Sequence, residues 1–209
     1  MNILGHLLKS AMALNRTGLN YALIGGISCI LMGVRRATED IDYVVEIDNV
    51  PDMEKLLREL EREGYEVWAI DPEEVLKGLG RFSIELEDGY RLDFKIAKEK
   101  IHFETLKTAI TVKIRGVDVK LTRIEENIAA KLLMPNSLKD IEDALWLMYQ
   151  YHEELDWNRI DKLVGAKSID IVMKLLDRIA GELSEDKIVL ERIEYLRKIL
   201  LNVKRKSYH

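Results

Sequence analysis

The chain has 209 residues, 47% of them hydrophobic and 33% charged, with a formal net charge of −5. That length supports one large domain or two small ones with a real core, and that balance excludes a disordered chain. The acidic excess argues against a generally basic nucleic-acid binder, while leaving room for a local basic patch.

A single cysteine, Cys29, rules out an internal disulfide and fits a reducing compartment. No apolar run approaches the ~18 residues that a membrane span needs. Met1 to Leu14 carries apolar residues at helical spacing rather than a signal-peptide pattern, so a cytoplasmic location is expected. Glu, Lys and Arg are plentiful and glutamine occurs once, at Gln150, which leans toward a thermophilic source.

In chain order, Ile3 to Leu14 predicts an amphipathic helix, and Tyr21 to Ile24 a buried strand. Gly25-Gly26 makes a turn into a short helix over Ile27 to Met32, and a loop with Arg35 and Arg36 leads to a strand over Ile41 to Ile47. Pro51 opens a helix to about Glu63, capped by Gly64, and Tyr65 to Ile70 reads as a further strand. Asp71 to Arg81 is a loop or a short helix. Phe82 to Leu86 and Tyr90 to Ile96 alternate in polarity around Asp88-Gly89, a strong hairpin signal. Ile110 to Ile114 and Val117 to Leu121 form a second hairpin around Arg115-Gly116.

From Thr122 onward only helices are predicted. Thr122 to Glu125 and Ser137 to Asp140 match capping signatures, with a break at Pro135-Asn136 between them. Further helices are expected over Trp157 to Leu163, Ser168 to Gly181 and Ser184 to Leu201, with Lys204-Arg205-Lys206 as a frayed tail. The expected organisation is therefore an α/β domain over residues 1–121 and a helical domain over residues 122–209.

Asp40 and Asp42 are two apart on one strand, so their side chains share a face. Like charges on one sheet face are costly unless a cation lies between them, and a divalent metal with oxygen ligands suits that place. A helix beginning right after Gly25-Gly26 favours a polyphosphate. Arg91, Asp93 and Lys95 share the polar face of a later strand, which makes Asp93 a third acid; Glu85, Glu87 and Asp88 are nearby acids that could be mistaken for it. The four histidines have no metal-ligand spacing, and no Walker-type lysine motif is present.

Gly25-Gly26, then Asp40-Ile41-Asp42, then Asp93 within Arg91-Leu92-Asp93-Phe94-Lys95 resembles the nucleotidyltransferase superfamily related to DNA polymerase beta, over roughly residues 20 to 96. Arg36-x-Thr38-x-Asp40-x-Asp42 resembles the minimal branch that includes the AbiEii-type abortive-infection toxins. The resemblance implies an α/β (α+β) nucleotidyltransferase domain with a mixed sheet, followed by an all-helical C-terminal domain. It implies that Asp40, Asp42 and Asp93 hold Mg2+ or Mn2+ and that Gly25, Gly26 and Ser28 cradle phosphates. Arg36 and Thr38 would sit beside the nucleotide. Lys131 and Lys139-Asp140-x-x-Asp143 resemble a later motif pair of that branch, so Lys131 and Asp143 are candidate nucleotide-binding residues as well.

The implied activity is transfer of NMP from an NTP to an RNA end, a protein or a small-molecule acceptor, with release of pyrophosphate. An antitoxin partner or a homo-oligomer is left open. The alternative is a non-catalytic nucleotide-binding or interaction module that retains the fold.

Overall fold

The computed structural model describes residues 2–133, 138–182 and 184–207. The chain forms two compact units, Met1–Arg123 and Ile124–His209.

The first unit contains α1 (Ile3–Thr17), β1 (Tyr21–Ile24), α2 (Gly25–Leu31), β2 (Asp40–Val45), α3 (Val50–Arg62), α4 (Pro72–Lys77), β3 (Arg81–Glu85), β4 (Arg91–Ile96), α5 (Lys100–Thr108), β5 (Ile110–Ile114) and β6 (Val117–Leu121). The strands make one six-stranded sheet in the order β3-β4-β2-β1-β6-β5. It is mixed: β2–β4 and β1–β6 are parallel, and β1–β2, β3–β4 and β5–β6 are antiparallel.

Local chemistry sets the helix ends. The Asn2 side chain accepts from Gly5 N to start α1, and Gly18 closes it in the left-handed conformation. Asn49 caps α3 by accepting from Asp52 N, with Pro51 in its first turn. The apolar stripes of these two helices join the core on one face of the sheet, with Leu7, Leu14, Leu56 and Leu60 packed among Leu23, Tyr43, Leu92 and Phe94. Tyr43, Phe94 and Phe82 stack across three adjacent strands, at ring separations of 5.4 and 4.7 Å. Burial forces the one polar atom of this stack to find a partner, and Tyr43 Oη lies 2.8 Å from Ser10 Oγ.

On the opposite face Ala22 and Val44 meet Ala97 and Leu106 in a small apolar patch. Asp40, Asp42, Arg91, Asp93 and Lys95 alternate onto that same face. The strand expected over Tyr65 to Ile70 does not form. Tyr65 and Val67 are instead buried in the core beside α1 and α3, and Tyr65 Oη donates to His6 O at 3.1 Å. α5 has no counterpart among the expected elements. Its start is fixed by Glu99 and His102, a capping pair that a search for Ser or Thr with Glu passes over.

The second unit is helical: α6 (Ile124–Leu133), α7 (Leu138–Gln150), α8 (Trp157–Val164), α9 (Ser168–Glu182) and α10 (Lys187–Ser207). Ile128, Leu147, Ile160 and Val172 are fully buried in it. Asp156 caps α8 by accepting from Arg159 N, and Gly165 ends it in the left-handed conformation. α10 continues through Ser207 instead of ending at Leu201, so Lys204-Arg205-Lys206 lies on a helix. The expected break at Pro135-Asn136 and cap at Ser137 lie outside the described residues.

Candidate active site

The parallel β2–β4 pairing sets Asp42 beside Asp93 and Asp40 beside Arg91. Neighbouring strands are about 4.8 Å apart, so this register makes Asp42 and Asp93 lateral neighbours on one face. The antiparallel β3–β4 pairing adds Ser83 beside Asp93 and Arg81 beside Lys95. β1 closes the other side, with Ile24 opposite Asp42 and Gly25 next in the chain.

Gly25 has φ +65°, and a Cβ placed on it would collide with the Asp42 carboxylate. Only glycine combines that backbone conformation with that approach. A Cβ on Gly26 would strike the Arg36 guanidinium and come within 3.0 Å of Thr38 Oγ1. Thr38 Oγ1 also accepts from Asp40 N at 3.4 Å. The loop between α2 and β2 therefore folds back on the glycine pair and brings Arg36 and Thr38 to it. Ser28 stands behind this turn, fully buried, and its hydroxyl donates to Gly25 O at 2.7 Å.

The acids are held by cations. Arg91 Nη2 lies 3.0 Å from Asp40 Oδ1, and Arg91 Nε donates to Asp93 Oδ2 at 3.0 Å. Burial alone would lower the pKa of Arg91; the carboxylates of Asp93 and Asp40 outweigh it, so the pKa is raised. Ser83 Oγ donates to the other oxygen of Asp93 at 2.5 Å. Lys95 Nζ is 3.9 Å from Asp42 Oδ1. A cleft of about 430 Å³ lies here, lined by Asp42, Arg81, Phe82, Ser83, Arg91, Asp93, Phe94 and Lys95.

Among the described residues no three His, Cys, Asp or Glu side chains converge as a ready metal cage. Arg91 lies between Asp40 and Asp93 and satisfies both. The donor set is still all oxygen, and the absence of a Cβ on Gly25 lets the Asp42 carboxylate lie against the glycine turn. Asp40, Asp42 and Asp93 are thus the residues whose oxygens suit a hard divalent cation.

The structure brings Gly25, Gly26, Arg36, Thr38, Asp40, Asp42 and Asp93 to one end of the sheet. Lys131 and Asp143 belong to the helical unit. There Lys131 Nζ, 6% exposed, donates to Asp140 Oδ1 and Asp143 Oδ2, both at 2.9 Å. Arg91, Ser83 and Arg81 were not singled out from sequence. The alternation of Arg91, Asp93 and Lys95 was visible there, but their partners depend on the strand register.

No protein-family model matches the chain, and no curated protein matches it. Among solved structures it is similar to JHP933 from Helicobacter pylori, with 15% identity and a TM-score of 0.59 over 97% of this chain and 90% of that one. It is equally similar to an H. pylori structure that carries a provisional nucleotidyltransferase assignment, with 16% identity and a TM-score of 0.59 over 97% and 93%. The fold is nucleotidyltransferase-like. Among the described residues no helix is long and apolar enough to cross a membrane.

Proposed function

We propose that the chain is a metal-dependent nucleotidyltransferase of the AbiEii-like branch, which moves NMP from an NTP to an acceptor and releases pyrophosphate. The observation that carries this reading is the in-register pair Asp42 and Asp93 beside Gly25, whose missing Cβ lets the Asp42 carboxylate pack against the glycine turn. Residues 1–121 would be the catalytic domain, and residues 122–209 a helical domain that serves it.

Mg2+ or Mn2+, held by Asp40, Asp42 and Asp93, would supply Lewis-acid stabilisation of charge on the transferred phosphoryl group. The chain's own residues do the rest. Gly25 and Gly26 let phosphates approach the backbone, and Arg36, folded over Gly26, offers a guanidinium to their charge. α2 is only seven residues long, so its dipole adds little and the loop matters more. Ser28 holds the turn from behind. Ser83 fixes the orientation of Asp93, which takes the proton of the acceptor hydroxyl. The acceptor oxygen then bonds to the α-phosphorus, the α–β bridging P–O bond breaks, and pyrophosphate leaves with the electron pair.

Lys131 is held by Asp140 and Asp143 within the helical unit. One observation favours the second reading, a non-catalytic module: Arg91 already neutralises Asp40 and Asp93, as a purely structural ion pair would. Incubation with α-labelled NTPs and Mg2+ separates the two. Label followed into total RNA, total protein and small molecules should appear in one fraction, with pyrophosphate released. Metal-dependent NTP binding without pyrophosphate release supports the second reading.

A further inference from the structure

We infer that the side of the cleft beyond Asp93 receives the acceptor, and that the acceptor carries a phosphate held by Arg81 and Lys95. This rests on the nucleotidyl-transfer reading and names its substrate class.

The β3–β4 register makes Arg81 and Lys95 direct cross-strand partners. Both are at odd positions with Ser83 and Asp93 on the same face, so two cations stand side by side at the cleft. Like charges directly opposite one another destabilise an antiparallel pair. The local acids relieve this only in part. Among the described residues Arg81 makes no ion pair, and Lys95 has only Asp42, at 3.9 Å. Asp93 is taken by Arg91 and Ser83. Lys98, the next cation along the chain, donates instead to Leu76 O and Gly78 O. An arginine and a lysine that lack a close carboxylate and line a cleft suit a dianionic group.

Position decides which substrate brings that group. Across the sheet the order is Gly25 at the end of β1, Asp42 on β2, Asp93 on β4, and Arg81 on β3. The glycine turn abuts Asp42 from one side; on the other, Arg81 lies on β3, one strand past Asp93, and its partner Lys95 is two residues along β4 from Asp93, with Nζ 3.9 Å from Asp42 Oδ1. Phosphates of the NTP belong to the first side. A hydroxyl that approaches Asp93 from the second side would bring its own phosphate over Arg81 and Lys95. A polycationic acceptor would be repelled there.

The test compares the full chain with the Arg81→Gln/Lys95→Gln double variant. Both side chains reach solvent, so the variant should fold, and removal of the like-charge contact should leave its melting temperature unchanged or higher. The calorimetric probes are glycerol 3-phosphate, glycerol, a 5′-phosphorylated trinucleotide of RNA, and each of the four NTPs with Mg2+. The wild type should bind both phosphate-bearing probes and not glycerol, and the double variant should lose about tenfold in affinity for them, 1.4 kcal/mol. Its affinity for the best NTP should stay within about twofold, well under that 1.4 kcal/mol step. Much tighter binding of the trinucleotide supports a nucleic-acid end as acceptor; equal binding supports a small phosphorylated molecule. Unchanged phosphate binding in the double variant overturns the site. A parallel loss of NTP affinity overturns it too, because the cations then serve the nucleotide. If glycerol 3-phosphate binds through Arg81 and Lys95 while no NTP binds, the anion site exists, but the acceptor role falls with the nucleotidyl-transfer reading.

Discussion

Arg91 Nη2 lies 3.0 Å from Asp40 Oδ1, and the Nε of the same guanidinium donates to Asp93 at 3.0 Å. One planar fork therefore neutralises two of the three carboxylates proposed to hold metal. A divalent cation that takes both must displace it. Arg91→Gln should raise the affinity of the nucleotide-free protein for Mn2+ by about tenfold, 1.4 kcal/mol. The guanidinium is 39% exposed, so its loss should cost little stability. Calorimetric Mn2+ titration checks this, and an unchanged affinity would show that Arg91 and the metal do not compete.

The two glycines should respond differently to alanine. Gly25 combines φ +65° with a Cβ position on top of Asp42. Gly25→Ala should therefore lose about 1 to 3 kcal/mol of stability through backbone strain, together with most nucleotide binding. Gly26→Ala meets the movable end of Arg36. It should melt close to wild type and weaken NTP binding by displacing that guanidinium. Thermal melting and NTP titration of the pair of variants read the contrast.

Lys131 is buried with Asp143, 2% exposed, and with Asp140. Lys131→Ala breaks a buried ion pair by removing one partner, which should cost about 3 to 5 kcal/mol. Denaturant unfolding measures that cost. NTP affinity, measured where the variant is folded, decides whether Lys131 also serves the nucleotide: a loss of about tenfold supports the role, and wild-type affinity removes it.

Acid should strain the first unit at Asp88. Its bond to His6 Nε2, 2.8 Å away, is the main cause that pulls its pKa from 3.8 to about 2. A carboxyl whose folded pKa lies below its unfolded value stabilises the fold above the unfolded value. That contribution is lost as pH falls from 3.8 toward about 2. Asp88→Asn should show a shallower fall of melting temperature across that window.

The strands that carry the site were legible because their signals are local. Gly25-Gly26, Asp40-x-Asp42 and the alternation from Tyr90 to Ile96 each lie within a few residues, and both hairpins follow from turn chemistry. The face that Asp93 occupies could be read from period two alone. Its neighbours could not. That Asp42 stands beside Asp93, and Arg81 beside Lys95, depends on pairing between residues 51 and 14 apart in the chain. The false strand at Tyr65 to Ile70 has a similar origin, since an apolar run does not reveal whether it pairs with a strand or fills a core. Ser28 was placed near the phosphates by its position in the motif. Whether its hydroxyl faced outward or back to Gly25 O depended on the turn geometry.

The account stands most directly on NTP binding that requires both the metal and Asp42. Calorimetric titration of the four NTPs with Mg2+, and again with a chelator, should show at least about tenfold tighter binding with the metal, 1.4 kcal/mol or more. Asp42→Ala should retain its melting temperature and lose that difference. Equal NTP affinity with and without Mg2+, or an undiminished metal effect in Asp42→Ala, would contradict the assignment of this site.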